Sequence, residues 1–143
     1  MKKVFVSGCF DVLHSGHIAF LQEASQYGEL YVALGSDKTV KELKNRATLY
    51  TQDERKYMLE ALSCVHKVFI SSGSGYMDFV EELEEVQPDI FFVNEDGDKP
   101  DKRELCTKKG IQYIVGKRVP FAEFPIRSTT KIRDEIKQTL LNE

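Results

Sequence analysis

Short runs rich in β-branched and aromatic residues alternate with helix-period segments along the whole chain, and this alternation limits the fold more than any other feature. Residues 3–7 (KVFVS), 30–34 (LYVAL), 67–71 (KVFIS), 90–93 (IFFV) and 111–115 (IQYIV) read as strands. A helix is predicted to start near Ser15 to His17, burying Ile18, Leu21 and Ser25, and to close at Gly28. Thr51 and Glu54 have the T-x-x-E spacing of a capping box, with Met58, Ala61, Leu62 and Val65 as the apolar face of the helix that follows. Tyr76, Phe79, Val80 and Leu83 repeat helical spacing before Pro88, and a charged helix over 102–109 is stopped by Gly110. Ile132, Ile136 and Leu140 mark a last helix, whereas the lysine-rich stretch 37–46 shows no clear period. Such alternation requires right-handed crossovers and a parallel sheet covered on both faces. The expectation is an α/β fold: a single Rossmann-like domain over 1–143, with a five-stranded parallel sheet and helices on both faces. Ligands of such folds bind beyond the carboxyl ends of the strands, where strand order reverses.

Composition narrows the function classes. A length of 143 residues suits one core, and 41% hydrophobic with 30% charged residues excludes a disordered chain. A net charge of −3, with both signs interleaved, gives no basic face for nucleic acid. Cys9, Cys64 and Cys106 are widely spaced and form no C-x-x-C pair, so neither a disulfide framework nor a structural zinc site is expected. The chain enters a strand-like run at once without a tripartite leader, and no apolar stretch approaches the ~20 residues that span a bilayer. A cytoplasmic protein without nucleic-acid or membrane partners is expected.

The turn after the first strand, Gly8-Cys9-Phe10-Asp11-Val12-Leu13-His14-Ser15-Gly16-His17, carries the chemistry. Gly8 and Gly16 lack β-carbons, which lets a phosphate or a base approach the backbone. His14 and His17 flank the first turn of a helix, at a spacing that aims both at one bound group. Imidazoles offer N–H donors to a phosphoryl group in either charge state. The bare H-x-x-H spacing is equally compatible with a helix cap, a core histidine or a metal pair, although no further ligand stands at a zinc-like spacing.

As a whole, GCFDVLHSGH resembles the G-x-F-D-x-x-H-x-G-H signature of the cytidylyltransferase-like nucleotidyltransferases. Arg127-Ser128-Thr129-Thr130-Lys131-Ile132 resembles the I-S-T-T-K-I segment of the same family, in the expected order and separation. Ser128 and Thr129 stand where the last helix begins, so hydroxyls, backbone N–H groups and the positive helix end form a cradle for the β- and γ-phosphates. Arg127 or Arg118 adds a charge-assisted fork. Taken alone, that segment reads as an ordinary N-cap.

The resemblance implies a catalytic set of His14, His17, Lys44 and Arg118. It implies nucleotide binding by Gly8, Cys9, Phe10, Asp11, Gly16, Asn94, Arg127, Ser128, Thr129 and Thr130, with Asp11 more suited to bracing the turn. Lys44 and Arg55 match the family's acceptor-binding lysine and the basic residue of its E-R pair. Mg²⁺ held mainly by phosphates is the implied cofactor, no protein metal site is implied, and a homodimer is the family's common state.

In wording, the motifs are most similar to glycerol-3-phosphate cytidylyltransferases. The expected reaction is therefore transfer of CMP from CTP to a polyol phosphate such as glycerol 3-phosphate, releasing pyrophosphate. Departures are Asn94-Glu95-Asp96-Gly97-Asp98 in place of a Gly-Asp-Asp-Trp-like segment, Ser63 at an often basic position, and a longer loop with Pro120 and Pro125 between Arg118 and Ser128. Residues 35–44 resemble sugar-phosphate adenylyltransferases of the ADP-heptose synthase type, which makes ATP with a sugar phosphate the alternative and flavin mononucleotide (FMN) a third acceptor. A nucleotide-binding regulatory module is the non-enzymatic alternative. A dinucleotide oxidoreductase lacks its G-x-G-x-x-G here, and an aminoacyl-tRNA synthetase would need an anticodon-binding domain for which the chain has no room.

Overall fold

A computed structural model describes residues 1–117 and 120–143. All strands pair in parallel in one sheet of order β3-β2-β1-β4-β5. The strands are β1 (Lys3–Gly8), β2 (Glu29–Leu34), β3 (Lys67–Ile70), β4 (Ile90–Asn94) and β5 (Gln112–Gly116). The chain adds β2 and β3 on one side of β1, then returns to add β4 and β5 on the other. The order therefore reverses between β1 and β4, which opens a crevice at their carboxyl ends.

Alternation along β1 feeds two cores. Val4 and Val6 face α1 (Ser15–Ser25) and α3 (Gln52–Glu60), joining Leu21, Ala24, Leu30, Val32, Leu59 and Phe92. Phe5 faces α4 (Val80–Val86) and α5 (Pro100–Lys109), joining Ala33, Phe79, Leu83, Val86, Phe91 and Cys106. The sheet is thus buried on both sides, which is why its strands read as nearly continuous apolar runs.

Helix boundaries follow local chemistry. The Thr51–Glu54 capping box forms with both of its hydrogen bonds, and Gly110 ends α5 at φ 70. The unassigned stretch folds as α2 (Asp37–Lys44), capped by Ser36 and ended by Asn45 in the left-handed region. The expected face of α3 is corrected: the helix stops at Glu60, and its buried residues are Arg55 and Leu59. The apolar count missed this because half of the buried stripe is a charged side chain. The helix expected from Tyr76 starts at Val80, with Tyr76 half exposed in the preceding turn. The last helix, α6 (Thr129–Leu141), begins at Ser128 as expected. No helix among the described residues is long and apolar enough to cross a membrane.

Candidate active site

Both sequence motifs line one cavity of about 580 Å³ at the carboxyl edge of the sheet. The first motif turns sharply out of β1: Phe10 and the β-branched Val12 adopt φ 54 and 51, a left-handed backbone that costs energy for such residues. Strain of this kind is held only by a surrounding network, and here that network is explicit. Asp11 accepts from the Leu49 and Tyr50 amides at 2.9 and 3.1 Å, and its main-chain carbonyl accepts from the Thr129 hydroxyl at 2.7 Å. One residue thereby ties the first motif to the α2–α3 loop and to the start of α6. The two motif segments adjoin.

The histidines organise each other. His14 is the N-cap of α1, and its Nδ1 accepts from the Gly16 and His17 amides at 3.1 and 3.4 Å. In return, His17 Nδ1 accepts from the His14 amide at 3.2 Å. The rings stack with centroids 3.6 Å apart and an interplanar angle of 22°. A nitrogen that accepts from an amide carries no proton, so both neutral rings hold their hydrogen on Nε2. Gly16 is needed for this packing: a Cβ there would lie 3.0 Å from the His14 ring and 3.4 Å from the Arg127 carbonyl. A Cβ at Gly8 would strike the Phe10 ring at 2.8 Å, so that glycine serves the turn's own packing.

At the other cradle, Ser128 caps α6 by accepting from the Lys131 amide at 3.2 Å. Its hydroxyl hydrogen can still be donated to a ligand. The expectation for Thr129 is corrected, because its hydroxyl donates to Asp11 and the residue offers the cavity its backbone at the helix start. The Asp11 carboxylate, expected either to bind nucleotide or to brace the turn, accepts from two amides. Cys9, Thr130, Arg127 and Lys44 line the cavity, with Arg127 also 3.5 Å from Glu135. Asn94 lines it too, while its Oδ1 caps the turn Glu95–Gly97 by accepting from the Gly97 amide at 3.1 Å. Arg118 lies outside the described residues.

Arg55 does not reach an acceptor. It is 0% exposed and donates to the carbonyls of Cys9 at 2.9 Å, Gly35 at 2.8 Å and Tyr50 at 3.1 Å, and to the Asp37 carboxylate at 2.7 Å. The guanidinium staples the ends of β1 and β2 at the level of the site. Burial pushes the Asp37 carboxyl up, yet hydrogen bonds from Arg55, the Gln52 backbone and Thr48 outweigh it and hold the group below its ordinary value.

Further residues line the cavity that no motif pointed to, among them Tyr76, Asp78 and Lys102. Asp78 is buried, and burial together with Glu82 pushes its carboxyl up to about 6. Lys102 is buried with its ammonium 3.0 Å from the Gly97 carbonyl, and burial, followed by Lys99, pushes it down. For Tyr76 and Asp78 the one available signal was position: 71–79 is the loop at the carboxyl end of β3, where this class of fold places ligands. Among the described residues no three His, Cys, Asp or Glu side chains gather as a metal cage.

The family model described as cytidylyltransferase-like matches residues 5–135. The FAD synthase of Thermococcus sibiricus is 36% identical over 96% of this chain and 93% of its own. The bifunctional protein HldE of Helicobacter pylori is 33% identical over 96% of this chain, which spans 28% of that larger protein. A solved structure titled as a lipopolysaccharide core biosynthesis protein from Thermoplasma volcanium aligns over 85% of this chain and 99% of its own, with TM-score 0.68 and 28% identity. The expectation of CMP transfer from CTP to a polyol phosphate is overturned by these relatives. Full-length matches to proteins named FAD synthase point away from it, a class the motif wording ranked last.

Proposed function

The chain belongs to the cytidylyltransferase-like family, and from that premise we propose that it is an adenylyltransferase that joins AMP from ATP to FMN, forming FAD and pyrophosphate. The full-length likeness to proteins named FAD synthase carries this reading. The cavity supports it by running from the motif segments at β1 and α6 to the loop after β3, where the aromatic Tyr76 is part of its lining.

The chemistry needs no dedicated base. A phosphate monoester has a second pKa of about 6, so the acceptor arrives with an anionic oxygen. That oxygen attacks the α-phosphorus of ATP, a new P–O bond forms, and the bond from the α-phosphorus to the bridging oxygen breaks with its electrons leaving on pyrophosphate. Two anions must be brought together, so positioning and electrostatics supply the rate. The Nε2–H groups of His14 and His17 donate to the triphosphate oxygens where charge accumulates. Lys44 approaches from the end of α2 to bridge acceptor and α-phosphate. Ser128 Oγ–H, the start of α6 and Arg127 hold the leaving group, and a contribution of Arg118 to the catalytic charge is proposed from the motif alone. Mg²⁺, when bound to the phosphates, lowers their mutual repulsion.

The likeness to HldE favours a second reading, adenylyl transfer to a sugar phosphate. A matrix of ATP and CTP against FMN, heptose phosphate and glycerol 3-phosphate, read by pyrophosphate release and chromatography, separates them. FAD formed from ATP and FMN is expected. Turnover with the heptose phosphate alone would transfer the assignment to the second reading, and turnover with CTP alone would refute both.

A further inference from the structure

Asp78 sits in the turn before α4, 9% exposed, and lines the same cavity as the histidine pair. Its main-chain carbonyl accepts from the Gly73 amide at 3.0 Å, which fixes the turn over the end of β2. A Cβ built on Gly35, the residue after β2, would lie 3.7 Å from Asp78 Oδ2, so the carboxylate rests directly against that strand end.

The other buried carboxylates of this fold are well supplied with donors. Asp11 takes two amides, and Glu82 takes the Ser72 amide at 3.2 Å and its hydroxyl at 2.9 Å. Among the described residues, no other residue donates a hydrogen bond to the Asp78 carboxylate, which lines the cavity. Lys102 attracts it from a distance, but that ammonium is bonded to the Gly97 carbonyl. Its oxygens open to the cavity, so a ligand that displaces the water there has to supply a donor in return. A phosphate would be repelled there, whereas an O–H or N–H donor would be held.

We infer that Asp78 determines acceptor specificity by accepting a hydrogen bond from a hydroxyl of the polyol chain beside the acceptor's phosphate. The inference rests on the adenylyl-transfer reading, and both acceptor classes considered there carry such hydroxyls: the ribityl chain of FMN and the ring or chain of a sugar phosphate. A site built to bond a hydroxyl rejects an analogue that lacks it, because the buried acceptor is then left unpaired.

The test compares FMN with a flavin alkyl phosphate whose chain has no hydroxyls, in wild type, Asp78→Asn and Asp78→Ala, with thermal melts to establish folding. A second arm pairs a heptose phosphate with its deoxy analogue. Wild type should prefer the hydroxylated acceptor by roughly ten- to a hundredfold in kcat/KM. Both variants should bring that preference to within about threefold and leave the KM for ATP unchanged. An undiminished preference in the folded variants, or none in wild type, overturns the inference. Fluorescence titration of FMN and its analogue needs no turnover and separates the two readings. Preferential binding of FMN without pyrophosphate release refutes adenylyl transfer to FMN while sustaining the role of Asp78.

Discussion

His14 and His17 cap each other: each Nδ1 accepts a backbone amide that the other residue's position supplies, and the rings stack at 3.6 Å. The cap does more than start a helix. By occupying both Nδ1 atoms it fixes the tautomer, so two Nε2–H donors are set before any ligand arrives, which is the preorganisation that electrostatic catalysis requires.

Cap and donor functions should separate at His14. His14→Ala loses both and is expected to destabilise the fold by about 1 kcal/mol as well as to slow turnover. His14→Asn restores a good N-cap without the Nε2–H. Thermal melts near wild type with turnover still depressed by a hundredfold or so would match a missing charge-stabilising donor. Recovery of turnover in the Asn variant would reduce His14 to a cap.

His17→Ala should depress kcat far more than it weakens ATP binding, because its donor acts where charge develops in the transition state. Equal losses in kcat and in ATP affinity, measured by steady-state kinetics and calorimetry, would make it a ground-state binding residue.

Arg55 is expected to govern stability. Arg55→Met removes a buried guanidinium and leaves the Cys9 and Gly35 carbonyls and the Asp37 carboxylate without it, at an expected cost of about 3–5 kcal/mol in denaturant unfolding. A change below about 1 kcal/mol would remove its role as the staple. The Asp37 end is testable by pH. Its carboxyl is depressed in the folded state, so its contribution is present above the ordinary value of 3.8 and is lost as pH falls through the folded value. The stability gap between wild type and Asp37→Asn should close on acidification below 3.8.

Asp78 carries the opposite sign. Its carboxyl is raised from 3.8 to about 6, so the folded chain holds a proton that the unfolded chain releases, and the group lowers stability progressively as pH rises between those values. Glu82 on α4 adds to the rise, and Lys102 on α5 opposes it. Asp78→Asn should therefore stabilise the fold at pH 7.5, by up to about 3 kcal/mol, with the gain vanishing near pH 4. A site residue whose removal helps folding and harms acceptor selection is the expected trade of stability for function. A variant less stable than wild type at pH 7.5 would make Asp78 a structural carboxylate.

Thr129 and Ser128 should diverge. Thr129→Val removes the bond to the Asp11 carbonyl and is expected to cost about 1 kcal/mol of stability. Ser128→Ala removes an N-cap and a ligand-facing hydroxyl, so kcat should fall as well. Urea melts paired with steady-state kinetics on both variants check the split, and the reverse pattern would exchange their roles.

Features encoded within a few residues were settled by the chain itself. The capping box at Thr51 and Glu54, the stop at Gly110, the strand–helix alternation and the two site motifs depend on side chains and backbone groups one helical turn apart. Tertiary structure decided whatever depends on groups brought from afar. Arg55 is a staple because it meets carbonyls 46 and 20 residues away, and Thr129 closes the site by bonding a carbonyl 118 residues away. Asp78 became legible only once the turn after β3 came to rest against Gly35 and buried its carboxylate beside the histidines' cavity. No local pattern announces such a residue, because its chemistry comes from the solvent and donors that the fold takes away.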